Sequence, residues 1–177
     1  MKLKKWQIIV IIVVIVVLAG TLFGGDSDDT SQNNQQTDTT EVEKTYKMKD
    51  TVQVGDVEYV ISKKTVTKTV GDQYVNNKAQ DTYLIIDLSI KNLGKEQLNV
   101  TDSFFTLLNG DKEYKTDSEG AIYLGDDSII YKDINPYVTL KGKIVFDVPE
   151  KIAKSNDNTL KVQTGIWGTE TENILLK

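Results

Sequence analysis

Thr82-Tyr83-Leu84-Ile85-Ile86-Asp87-Leu88-Ser89-Ile90-Lys91 is the stretch whose reading decides the fold. Leu84, Ile86, Leu88 and Ile90 fall on one side of a two-residue period, and Tyr83, Ile85, Asp87 and Ser89 fall on the other. Successive side chains of a strand point to opposite faces, so this alternation predicts a strand with one face in a core. Asn92-Leu93-Gly94 then supplies turn residues that end it.

The same period recurs on both sides. Val57, Tyr59 and Ile61 line one face of an earlier strand, and β-branched Thr65 to Val70 either extends it or forms another. Gln97 to Val100 reads as a short strand. Phe104 to Leu108 leads into the turn Asn109-Gly110-Asp111, with Glu113 to Lys115 as hairpin partner. In Val138 to Val148, the residues Leu140, Ile144, Phe146 and Val148 share a face opposite Lys141, Lys143 and Asp147, and Pro149 stops the strand. Leu160 to Gln163 and Asn173 to Leu176 complete the set, and only the N-terminal leader reads as a helix. Roughly seven or eight short strands separated by turn residues predict an all-β, antiparallel β-sandwich.

A series of landmarks runs through this domain in order. It comprises Val54-Gly55-Asp56-Val57-Glu58-Tyr59, Tyr83 through Asn92, Phe105-Thr106-Leu107, Gly110, Tyr114, Ile134-Asn135-Pro136 and Gly142 through Pro149. The series resembles the immunoglobulin-like domain of unknown function common in lipoproteins and secreted proteins of Gram-positive bacteria, similar in fold to a secreted immunogenic protein of mycobacteria. The resemblance implies an extracytoplasmic immunoglobulin-like β-sandwich with no established activity. It also implies a lipoprotein cysteine in many relatives. Here Leu18-Ala19-Gly20 is followed by Thr21, and the chain has no cysteine, so thioether lipidation is chemically impossible.

Residues 1–25 read as a membrane anchor or signal segment. Lys2, Lys4 and Lys5 precede a run from Trp6 to Gly25 without a charge, about the 20 residues that a spanning helix needs. A retained single span fits this length, with a cleaved signal cut after Ala19 as the alternative. Residues 26–45 are polar, lack aromatic residues before Thr45, and read as a disordered linker. About 20 such residues reach roughly 25 Å, which holds a tethered domain near the membrane. Residues 46–177 form the sandwich domain. Its location is then the extracytoplasmic side of the cell membrane, or the medium if the leader is cut.

Composition limits the chemistry. The chain of 177 residues carries a net charge of −5 with no histidine and no cysteine. That removes the usual general base, thiol nucleophiles and common zinc ligand sets. No phosphate-cradling glycine loop is present. An acidic domain without a basic stripe excludes nucleic acid as a partner. Carboxylates alone do not make an enzyme, so the expectation is no catalysis and no cofactor.

Two candidate sites remain. Asp117, Glu119, Asp126, Asp127 and Asp133 surround Gly120 to Tyr131 and offer oxygen ligands for Ca2+, although their spacing is not that of an EF-hand. The alternative is a solvated acidic loop. Ile122, Tyr123, Leu124, Ile129, Ile130 and Tyr131 are apolar for a connection. They read either as a further strand in the core or as a partner-binding patch led by Tyr123 and Tyr131. Trp167 reads as a core plug or a ligand platform. The function this implies is a non-catalytic binding module of the cell envelope, tethered through its N-terminal segment and engaging an envelope protein or extracellular ligand. The alternative is a sensor of a small ligand or of Ca2+ through the acidic loop.

Overall fold

The computed structural model describes residues 45–164 and 170–177. The leader, the polar linker up to residue 44 and Trp167 lie outside the described residues. Among the described residues no helix is long and apolar enough to cross a membrane.

Eleven strands are present among the described residues: β1 (Tyr46–Lys47), β2 (Thr51–Val54), β3 (Val57–Gly71), β4 (Asn76–Asn92), β5 (Leu98–Asn99), β6 (Phe105–Asn109), β7 (Lys112–Lys115), β8 (Asp133–Ile134), β9 (Thr139–Val148), β10 (Thr159–Gln163) and β11 (Thr171–Leu175). One sheet has the order β1-β11-β10-β6-β7 and the other β2-β3-β4-β9, with β5 and β8 as a small separate pair. All pairings are antiparallel except β1 with β11. The fold is the antiparallel β-sandwich that the alternation predicts, immunoglobulin-like as the family resemblance implies.

The core between the sheets follows the two-residue period. β3 contributes Val57, Tyr59 and Ile61, β4 contributes Leu84, Ile86, Leu88 and Ile90, and β9 contributes Ile144, Phe146 and Val148. The facing sheet supplies Phe105, Leu107, Leu160, Val162 and Ile174. Glycine is required at two hairpin turns, where Gly55 (φ 54°) joins β2 to β3 and Gly110 (φ 62°) joins β6 to β7. Both hold a left-handed backbone that side chains disfavour.

Tyr59 ties the two sheets together. Its ring meets Phe105 edge-on at 6.3 Å, and its hydroxyl donates to the Gln163 carbonyl at 2.7 Å. Burial pushes this hydroxyl well above its ordinary value of 10. The folded protein therefore keeps the proton where the unfolded chain releases it. The stability this contributes is complete below pH 10 and is lost as pH climbs beyond it. Tyr59→Phe costs about 1 kcal/mol at pH 7, one neutral hydrogen bond, and flattens the alkaline limb of the stability profile. Urea melts of both proteins between pH 7 and 11 check this.

Thr65 to Val70 extends β3, the first of its two alternatives. Three expectations need correction. The strands are not all short, since β3 has 15 residues and β4 has 17. The apolar segment after Gly120 is not a further strand. Ser118–Tyr123 forms a helix, α1, and Ile129 and Ile130 enter the core from the loop that follows. A second short helix, α2 (Glu150–Ala153), starts immediately after Pro149. Pro149 stops β9 because it has no N–H to give a ladder, and its carbonyl accepts from Ile152 and Ala153 as the new helix begins.

Candidate functional site

Thr82 through Ile86 are buried without interruption, which a sheet with one wet face does not allow. The cause is a second, smaller apolar cluster on the outer face of the β2-β3-β4-β9 sheet. Val70, Tyr83, Ile85 and Val145 form it, and Ala79, Ala121, Tyr123 and Leu124 pack against it. Two elaborations of the sandwich cover this face: α1 and the far end of the β3–β4 hairpin.

The hairpin outruns its neighbours. β9 accompanies β4 only from Thr82 to Lys91, and β2 accompanies β3 only from Val57 to Val60. Beyond Thr82 the two long strands form an arm. At its root the register breaks, with Lys68 alone standing against Ala79 through Thr82. This wide bulge is filled by charge. The Asp147 carboxylate accepts from the backbone N–H groups of Gln80 at 2.5 Å, Asp81 at 3.1 Å and Thr82 at 3.2 Å. Lys68 Nζ donates to the Asp81 carbonyl, to Thr82 Oγ1 at 2.6 Å and to Glu150 at 3.3 Å. Beyond the bulge Val70 joins the outer-face cluster, and Asn77 Nδ2 donates to the Tyr83 hydroxyl at 3.1 Å.

The arm ends in Asp72-Gln73-Tyr74-Val75. Asp72 Oδ1 accepts from the backbone N–H groups of Tyr74 and Val75, both at 2.7 Å. The Val75 and Tyr74 amides hold this carboxyl below its ordinary value of 3.8. Its folded pKa is depressed, so its hold on the turn is complete above the ordinary carboxylate range and is lost as pH falls beneath it. In an NMR titration, the Tyr74 and Val75 amide resonances should move with a midpoint below 3.8. A midpoint at or above that value would mean that the turn is not held this way. Tyr74 is 84% exposed and Val75 64%, apolar residues carried outward at the tip.

Between the arm and α1 lies an open cleft of about 850 Å3. Val70 and Val75 line it from the arm, and Ile122, Tyr123 and Leu124 from α1 and its end. Lys63, Asp87 and Lys143 line it from the sheet, where strand register sets Asp87 directly between the two lysines. Lys143 Nζ donates to the Asp127 carboxylate, and this bond is the main reason that its pKa is raised. The cleft thus joins an apolar wall to a floor of alternating charge. It holds no histidine, cysteine or glycine-rich phosphate loop.

The five acidic residues are placed apart in role. Asp117 caps α1 by accepting from Gly120 N–H. Glu119 is exposed on that helix. Asp126 lies 4.0 Å from Lys132, Asp127 pairs with Lys143, and Asp133 accepts from Asn99 at 2.8 Å. Among the described residues no three acidic side chains gather closely enough to hold a metal ion. The two tyrosines are separated as well, since Tyr123 packs against the outer-face cluster while Tyr131 is 67% exposed. The arm, and Asp147 that holds its root, are what sequence reasoning missed. The signal available was the β-branched stretch Thr65 to Val70, interrupted by Lys68 alone and followed by Gly71-Asp72.

Residues 46–173 match the family model described as "Domain of unknown function (DUF4352)". The uncharacterized protein YxkC of Bacillus subtilis (strain 168) is 29% identical over 140 residues, covering 70% of this chain and 78% of that protein. Among solved structures, the yjhA protein from Bacillus subtilis superposes with a TM-score of 0.59 at 12% identity, covering 75% of this chain and 100% of that one. The secreted protein MPT63 from Mycobacterium tuberculosis gives 0.50 at 15% identity, covering 78% and 99%. At these identities the likeness is one of fold.

Proposed function

We propose, from the premise that this chain belongs to the DUF4352 family of domains of unknown function, that it is a non-catalytic recognition module of the cell envelope. It works on the extracytoplasmic side of the membrane, tethered by its N-terminal segment, and holds a partner in the cleft between the arm and α1. The single observation that carries this reading is the cleft itself. It is built from an overlong hairpin and an added helix, neither of which the sandwich needs in order to close. Recognition surfaces are commonly loops and extensions on a rigid scaffold. Exposed Tyr74, Val75 and Ile122 give such a surface apolar anchors, and Lys63, Asp87 and Lys143 give it polar specificity. The charged leader ahead of an uncharged run of spanning length supports the tether.

The test is lysine-directed crosslinking of intact cells with a membrane-impermeant reagent, with membrane and medium analysed separately. One recurrent envelope partner in the membrane fraction is the expected result. Recovery of unmodified protein from inside the cells, or of monomer solely from the medium, would contradict a tethered envelope module.

A further inference from the structure

A second, smaller hollow of about 230 Å3 shares Ile122 and Gly125 with the cleft but takes no residue from β3, β4 or β9. Ala121 and Ile122 of α1 line it together with Ile130 and Tyr131. Two of these side chains are placed without benefit to the fold, since Ile122 is 75% exposed and Tyr131 is 67% exposed. Tyr131 is nonetheless fixed in position. Its N–H donates to the Val100 carbonyl at 2.7 Å, and the Val100 N–H donates to the Lys132 carbonyl at 3.0 Å. Buried Ile129 and Ile130 anchor the chain just before it. Its φ of 61° is one that side chains rarely adopt. The ring is held out to solvent by a locked backbone, which lowers the ordering entropy lost when a partner binds.

The charge around this hollow has one sign in excess. Asp102 and Lys132 line it, and Glu119 and Asp126 stand exposed on the adjoining turns. Within residues 116–133 the chain carries Asp117, Glu119, Asp126, Asp127 and Asp133 against Lys132 alone, which lies 4.0 Å from Asp126, while Asp127 pairs with Lys143. An apolar hollow beneath an acidic field selects by both size and charge.

We propose that this hollow receives one large apolar side chain of a cationic polypeptide segment, in which that side chain stands between lysines or arginines. The hollow shares Ile122 with the cleft, so labelling at Ile130 or Tyr131, which the cleft lacks, distinguishes this site from the one proposed there.

The probe is a blocked pentapeptide with a photoreactive leucine flanked by two lysines on each side, applied to the full-length chain. Labelled residues are mapped by mass spectrometry. Saturable labelling at Ile122, Ile130 or Tyr131 is expected, lost when glutamates replace the lysines of the probe and weakened by raising salt from about 50 to about 500 mM. Asp126→Lys should weaken saturation roughly fivefold, the effect of one exposed ion pair. Tyr131→Ser should weaken it as well. Asp126 is solvent-exposed, so its reversal remains informative even if Tyr131→Ser fails to fold. Equal labelling by the acidic probe would overturn the proposal in favour of a plain apolar patch. Chain-to-chain crosslinks through Tyr131 that the basic probe does not compete away would overturn it in favour of self-association. Absence of saturable labelling would overturn it outright.

Discussion

Phe146→Ala should lower the unfolding free energy by about 3–5 kcal/mol, the range for removing an aromatic ring from a closed core. Phe146 is fully buried near the C-terminal end of β9, directly opposite Leu84. The cavity would open between the sheets, where neighbouring side chains are locked by strand pairing on both sides and collapse poorly. β9 also serves the outer face, because Val145 lies in the cluster under α1 and the carbonyls of Lys143 and Val145 accept from Ile129 and Asp117. The loss should therefore reach the cleft as well as the core. A fall in melting temperature of roughly 10 °C or more is expected. A loss below about 1 kcal/mol would mean that the Phe146 ring does not fill the space between the sheets.

Asp147→Ala should have the largest effect on the cleft. The substitution takes away the shared acceptor of three consecutive backbone N–H groups, of which that of Thr82 belongs to a residue 1% exposed. Hydrogen bonds to a charged acceptor contribute about 1.5–3 kcal/mol each at best, less where water can replace the acceptor. With only Thr82 dry, the expected global cost is about 2 kcal/mol. The local consequence is greater. The bulge at the arm's root would lose its filling, Val70 its fixed approach to Tyr83, and the cleft one wall. Amide exchange at Gln80 to Thr82 and across Thr69 to Lys78 should accelerate by at least tenfold, while exchange in the core of β9 follows global stability alone. Asp147→Asn should recover part of the protection, since one carbonyl oxygen can still accept. Unchanged exchange in the arm would show that its root is held by something other than Asp147.

How much of this was legible in the sequence follows from which physical signals are local. The alternation of Leu84 to Ile90, and of Ile144 to Val148, reports which face is dry, so the sandwich and its core were readable. The outer face was not. Tyr83, Ile85 and Val145 carry the same period whether water or a helix covers them, and what covers them is α1, some 30 residues away from Ile85 in the chain. The helix itself was hidden because Ile122-Tyr123-Leu124 has the β-branched and aromatic character of a strand. Its start was marked by Asp117, whose capping role and metal-ligand potential look alike in sequence. Asp147 likewise reads as a solvent-facing strand residue. Its role depends on a register break between β3 and β4 that no local pattern announces. The leader is the reverse case, legible in composition yet outside the described residues.

The central claim is that recognition runs through the cleft between the arm and α1. The most direct test uses the absence of cysteine from the chain. Single cysteines at Val75, on the arm, and at Glu113, on β7 of the opposite sheet, are each coupled to the same photoreactive maleimide on intact cells and irradiated. The account predicts a discrete crosslinked partner from position 75, reduced severalfold by Asp147→Ala, and none from position 113. Equal crosslinking from both positions, or crosslinking from 113 alone, would contradict it.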